Sequence, residues 1–108
     1  MLSAFDLAPG ADETEFRALY DAFVNQLLQQ GLIVTATPVG RRLSATPMDT
    51  DRERSQEFFS VMGFSDRSQL DAAYAHIESR LRPATAPHSD MYRHISNAVF
   101  LCWQDDGA

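Results

Sequence analysis

The chain contains no lysine; its nine basic residues are all arginines. That excludes Schiff-base chemistry on a lysine amine. Cysteine is almost absent too, and Cys102, the single one, has no partner for an internal disulfide. Positive charge is scarce: fifteen acidic residues outnumber the arginines, for a net charge of -6. The arginines are also dispersed, mostly beside acids, so the concentrated positive field that a nucleic-acid binder needs is missing and no nucleic-acid partner is expected. The longest apolar run, Ala98 to Trp103, falls far short of the ~18 residues of a membrane helix, so no membrane association is expected. "MLSAFDLAPG" has no basic residue ahead of its apolar part, and no signal peptide is read there. With the unpaired cysteine, this points to the cytoplasm. No G-x-G-x-x-G, Walker loop, G-x-S-x-G or H-E-x-x-H occurs, so no cofactor is expected.

What is present suits a single globular unit: 108 residues with 44% apolar side chains. Residues 1–104 are expected to form the domain and 105–108 a short loose tail. "LSAFDL" (2–7) reads as a first strand, closed by the turn signal "APG". Asp12 is placed to cap a helix, with Glu15 three residues on, as in a capping box. Phe16, Leu19, Tyr20, Phe23 and Leu27 fall in one sector at 100° per residue, and Gly31 ends the helix. "LIVTATPVGRRL" (32–43) is β-branched and reads as a second strand. Pro38 confines it to a sheet edge or bulges it.

The polar segment 44–56 is an exposed connection. "EFFSVMGF" (57–64) is a third strand. Residues 65–81 form a second helix with Leu70, Ala73, Tyr74, Ile77 and Leu81 as its buried stripe. Residues 82–90 are a loop, and "NAVFLCW" (97–103) is a fourth strand. The order β-α-β-β-α-β is that of a ferredoxin-like α+β fold. It implies a four-stranded antiparallel sheet, order 4-1-3-2, with both helices on one face.

Such a sheet should be polar on its uncovered face. Here neither face is. Phe59 and Val61 oppose Phe58, Met62 and Phe64; Val99, Leu101 and Trp103 oppose Ala98, Phe100 and Cys102; Phe5 and Leu7 oppose Leu2 and Ala4. Each large apolar side chain left wet forgoes ~1.5–3 kcal/mol. The expectation is a homodimer with sheets packed face to face.

"FDLAPG", "GLI", "GRRL", "EFFSVMGFSDRSQLDAAYAHI" and "VFLCWQDD" resemble a group of small bacterial proteins of the dimeric α/β-barrel superfamily. That superfamily includes antibiotic-biosynthesis-type monooxygenases, muconolactone-isomerase-like proteins and stress-responsive barrel proteins. The resemblance covers most of the chain and implies the fold. It implies no reaction and carries over no catalytic residue.

Some residues carry a chemical reading beside a structural one. His88 and His94 are six apart, ~20 Å on an extended strand, too far to share an ion; no metal is expected. His88 is either a loop hydrogen-bonding group or an acid/base at a barrel-end pocket, with His94 as a substrate contact. His76 is expected in solvent. Asp6 is either a desolvated base or, the preferred reading, a structural group that bonds its following turn or pairs with a nearby Arg. Arg41 and Arg42 face opposite ways, so one is able to clamp a substrate anion, unless both are edge charges against aggregation. Trp103, Tyr92, Phe100 and Met62 are pocket-lining candidates that packing explains equally well. Cys102, among apolar neighbours, reads as buried and inert.

Two functions remain. One is a homodimeric barrel with a binding or stress-related role and a small-molecule ligand. The other is a cofactor-independent monooxygenase- or isomerase-like enzyme acting on a small apolar or aromatic compound. In the second, His88 and Asp6 would be catalytic and Arg41 or Arg42 would hold the substrate.

Overall fold

The computed structural model describes residues 1–81 and 88–105; of residues 79–81 and 88–90 only the backbone is described. Along the chain run β1 (Leu2–Leu7), α1 (Glu13–Gln29), β2 (Thr35–Ala36), β3 (Gly40–Arg41), β4 (Phe58–Gly63), α2 (Arg67–Leu81), α3 (His88–Arg93) and β5 (Ile95–Leu101). The fold is α+β. Its open antiparallel sheet has five strands in the order β2-β4-β1-β5, with β3 also on β4. Among the described residues no helix is long and apolar enough to cross a membrane.

The sheet differs from the expected four strands in order 4-1-3-2. The single strand expected over 32–43 is instead two dipeptide strands. Val34 and Thr37 still donate their amides to Gly63 and Val61 of β4, at 2.9 and 2.8 Å. Pro38, which has no N–H to offer, lies in the gap before β3.

α1 follows its sequence closely. Asp12 is extended (φ -85, ψ 125) and its carboxylate accepts the Glu15 amide at 2.9 Å, satisfying one of the orphan N–H groups of the first turn. Gly31, at φ 69, follows the helix in the left-handed region that glycine tolerates. Phe16, Tyr20, Phe23 and Leu27 are buried. Asp12→Ala is expected to cost about 0.5–2 kcal/mol, read as a lower denaturant midpoint at unchanged slope.

The second helical segment departs more. Asp66 caps it by accepting the Gln69 amide at 2.8 Å. Of the expected stripe, Ala73 is buried and Ile77 packs partly against the core, but Tyr74 is 66% exposed. The Leu81 side chain lies outside the described residues. His76 is half-buried, not in solvent. Residues 88–90, expected in a loop, and the three that follow form α3 (88–93), which packs on α1, α2 and β5. Three helices therefore replace two.

Register assigns the sheet faces, because residues directly opposite in an antiparallel pair share a face. Ser3 opposes Ser60 and Phe5 opposes Phe58. These four and Met62 are all buried, and Phe5, Phe58 and Met62 join the α1 residues in the core. The other face carries Leu2 opposite Val61 and Leu101, and Ala4 opposite Phe59 and Val99. None of these six belongs to the core, and Val61 and Leu101 remain 37% and 39% exposed. Gly40 sits under the Phe59 ring on this face; a Cβ there would lie 2.5 Å from the ring, so the ring lies flat only over glycine.

The last strand also shifts, to 95–101. Between Ala4/Val99 and Asp6/Ser96 the register slips, two steps on β1 against three on β5. This is a β-bulge, with Asn97 at φ 52. Asn is among the few residues that enter the left-handed region at modest cost. Because β5 ends at Leu101, Cys102 is exposed rather than buried.

Candidate functional site

Among the described residues two recesses stand out, and they differ in chemistry. The first lies between the covered sheet face and the helices. It is a cavity of ≈ 40 Å³ lined by Phe5, Phe16, Phe23, Met62, Met91 and Phe100 among others, with hydroxyls from Ser3, Tyr20, Ser60 and Tyr92. Burial pushes the Tyr20 phenol up, against the lowering effect of a hydrogen bond with Ser60. Tyr20 also donates to the Thr37 carbonyl at 3.2 Å. Burial, and then the neighbouring Tyr20, push Tyr92 up to about 12. Both phenols are therefore protonated at neutral pH and act as neutral donors.

The second recess is a polar cleft of ≈ 460 Å³, open to solvent, lined by Arg42, Ser44, Asp51, Arg54, Ser55, Gln56 and Glu57. It forms where the segment between β3 and β4 folds back on itself. Arg42 holds that segment. Its Nε and Nη2 grip the Asp49 carboxylate at 2.5 and 2.7 Å, Nη2 also reaches the Asp51 carbonyl at 2.7 Å, and Nη1 donates to the Arg54 carbonyl. Planar bidentate geometry of this kind suits arginine and not lysine.

Asp51 accepts the amides of Glu53 and Arg54, at 2.9 and 3.3 Å, and the Arg54 guanidinium at 2.5 Å. The Arg54 hydrogen bond, followed by the Glu53 amide, holds its carboxyl down to about 2. Such a depressed carboxylate stabilises the folded segment above its ordinary value of 3.8, and this contribution disappears as pH falls through about 2. A carboxyl NMR titration should find Asp51 protonating near 2; a midpoint at 3.8 or above would show that the Arg54 contact does not form in solution.

The residues singled out in sequence do not gather in one place. Asp6, Arg41 and Arg42 meet at Glu57. The Asp6 carboxylate accepts the Glu57 amide at 2.9 Å, the Arg42 amide donates to the Glu57 carbonyl at 2.8 Å, and Arg41 Nη1 pairs with the Glu57 carboxylate at 2.6 Å. Arg41 also reaches Glu13 at 2.5 Å and lies over the Phe58 ring at 4.8 Å. The second Asp6 oxygen accepts Asn97 Nδ2 at 3.2 Å. Asp6 thus ties the end of β1 to the start of β4 and to the bulge in β5.

Tyr92 lines the apolar cavity and meets Phe23 edge-on at 6.0 Å. His94 is on neither recess; its Nε2 lies 3.7 Å from Glu15 and its carbonyl accepts the Ala8 amide at 2.7 Å. Trp103 is 69% exposed. The His88 backbone belongs to α3, and its side chain lies outside the described residues.

Sequence reasoning missed Gln56, Glu57, Asn97, Tyr20 and Ser60. The visible signal for Asn97 was a turn-prone amide inside a strand run. For Ser3 and Ser60 it was a hydroxyl at an inward position of an apolar strand. Among the described residues no three His, Cys, Asp or Glu side chains group to hold a metal ion.

No curated protein and no solved structure matches the chain. Over residues 2–105 it matches the model of a family of unknown function, DUF6614, and the chain belongs to that family.

Proposed function

We propose that the chain is a homodimeric binding protein of the ferredoxin-like α/β-barrel type, with two copies joined sheet to sheet. Its ligand would be a compact, mainly apolar molecule held between the sheet and its helices. One observation carries this reading: the sheet is apolar on both faces, and among the described residues the helices cover only one. Leu2, Ala4, Phe59, Val61, Val99 and Leu101 form a continuous apolar patch on the other, of the kind that marks an interface. The molecule measures 43 × 38 × 19 Å, and its short axis suits one helix layer on one sheet, since packed layers lie ~10 Å apart. A two-fold axis through the patch would pair it with itself.

The cavity supports the binding half. Its walls are apolar and its few hydroxyls sit together, the usual make-up of a small-molecule site. At ≈ 40 Å³ it has room for a few heavy atoms, below the ~150 Å³ that takes benzene. A larger ligand would enter past Phe100, which is 49% exposed at the rim. An acid/base enzyme needs a group on that cavity able to change charge near neutral pH. Of the described titratable side chains only Tyr20 and Tyr92 line it, and burial raises both phenols so that they hold their protons, so the geometry favours binding over catalysis.

Light scattering at micromolar concentration tests the dimer, with twice the chain mass expected and a single-chain mass overturning it. A thermal-shift series of short-chain alcohols, ketones and phenols tests the ligand. At ~100 times its dissociation constant a binder stabilises by about 2.7 kcal/mol; no shift across the series would overturn the binding half.

A further inference from the structure

The polar cleft has a feature that loop packing does not account for. Gln56 is 5% exposed. Its Nε2 donates to the Asn97 carbonyl at 2.9 Å, which fixes the amide's orientation. Its Oε1 is also buried and accepts no hydrogen bond. Buried acceptors of this kind are rare and call for a donor. The carbonyl that fixes Gln56 belongs to Asn97, the left-handed residue of the bulge. Strained backbone of this sort collects at functional sites.

The groups around Gln56 define what donor would fit. Arg42 spends four of its five N–H groups within the loop, with all three guanidinium nitrogens bonded. Arg54 bonds Asp51 through Nη1, so its fork retains donors able to hold an anion. Glu57 lines the cleft; it gives Oε1 to Arg41, which leaves its second oxygen as an acceptor. A simple anion would suit Arg54 but face Asp51 and Glu57. A simple cation would suit Glu57 and Gln56 but face Arg42 and Arg54. A molecule with both poles satisfies each side.

We propose that this cleft binds a small zwitterion with the ammonium and carboxylate of an α-amino acid. The carboxylate lies on Arg54, and the ammonium donates to the Glu57 carboxylate and, where the loop side chains part to admit it, to Gln56 Oε1. Ser44 and Ser55 line the same recess as further hydroxyl partners. The assignment does not depend on the apolar cavity or on dimerisation.

An amide NMR titration of the full chain with each of the twenty common L-amino acids tests it, with methylamine and acetate as single-pole probes. At least one amino acid is expected to shift the amides of Ser55, Gln56, Glu57 and Asn97, at least tenfold more tightly than either single-pole probe. Arg54→Ala, in an exposed segment outside the core, is expected to weaken that binding at least tenfold while leaving the rest of the spectrum in place. Gln56→Leu should abolish it; if that variant unfolds, Arg54→Ala still decides. Equal binding of methylamine or of acetate, absence of shifts with every amino acid, or indifference to Arg54→Ala would each overturn the proposal.

Discussion

Phe16→Ala is expected to destabilise the domain by about 3–5 kcal/mol, the range for deleting a fully buried aromatic ring. Phe16 is 2% exposed and sits where α1 meets the sheet. Its ring packs on Phe5 at 5.4 Å and on Tyr20 at 6.3 Å, tilted in both cases, so its loss strips contacts from both layers. It also walls the ≈ 40 Å³ cavity, and the neighbours, already bordering empty space, have little reason to collapse into more of it. Domains of this size hold about 5–15 kcal/mol in total, so the change removes a large share. A domain of ~100 residues loses roughly 4–8 °C per kcal/mol, which places the drop in Tm above about 12 °C. Denaturant midpoints at matched protein concentration check it, since a dimer's apparent stability depends on concentration. Met48→Ala, at a 90% exposed position, should stay within about 0.5 kcal/mol. If the two variants behave alike, α1 does not pack as described.

The contrast between Phe16 and Met48 shows where sequence was readable. Helix α1 has a strict apolar stripe and a capping residue, and both signals are local; they need only the 3.6-residue period and the chemistry of Asp12. The two-sided strands were readable for a similar reason, because alternation fixes which residues share a face whatever the partner strand. What failed needed non-local information. α2 carries a periodic stripe, yet Tyr74 is exposed because packing on α3 decides how much of that stripe is used. Residues 88–93 are too few to display a helical period, so α3 was invisible. Pro38 announced an edge, but the extent of the break depended on which β4 carbonyls remained within reach.

The clustering around Glu57 was the least accessible part. It joins residues 6, 41, 42 and 57 with Asn97 close by, and its logic rests on a one-residue bulge in β5 that alternation alone cannot reveal. Asp6 illustrates the consequence. Its preferred reading was structural, a bond to its own following turn or a pairing with a nearby arginine. Its carboxylate instead bonds Glu57 and Asn97, 51 and 91 residues away.

Val61→Lys is expected to convert the proposed homodimer into a folded monomer. Val61 lies mid-strand on β4, opposite Leu2, in the uncovered apolar face, and is 37% exposed in the single chain. In one copy a lysine there lays its methylenes along Leu2 and Leu101 and extends its ammonium into water, at small cost. The backbone bond from the Val61 amide to Thr37 Oγ1, 2.9 Å, does not depend on the side chain. In a face-to-face dimer two ammonium groups would enter one apolar interface related by the two-fold. Each carries a desolvation penalty of several kcal/mol, with no carboxylate on the patch to pair with. At 1.4 kcal/mol per factor of ten, the dissociation constant should rise at least ~100-fold, and light scattering at micromolar concentration should return the mass of one chain. Far-ultraviolet circular dichroism should be unchanged, which separates dissociation from unfolding. Tyr74→Lys supplies the matched control: it adds the same charge at a site 66% exposed on α2, on the helix side, and should leave the mass at two chains. Loss of the dimer in both variants would move the interface to the helices. Retention in Val61→Lys would show that the apolar sheet face is not what joins the copies.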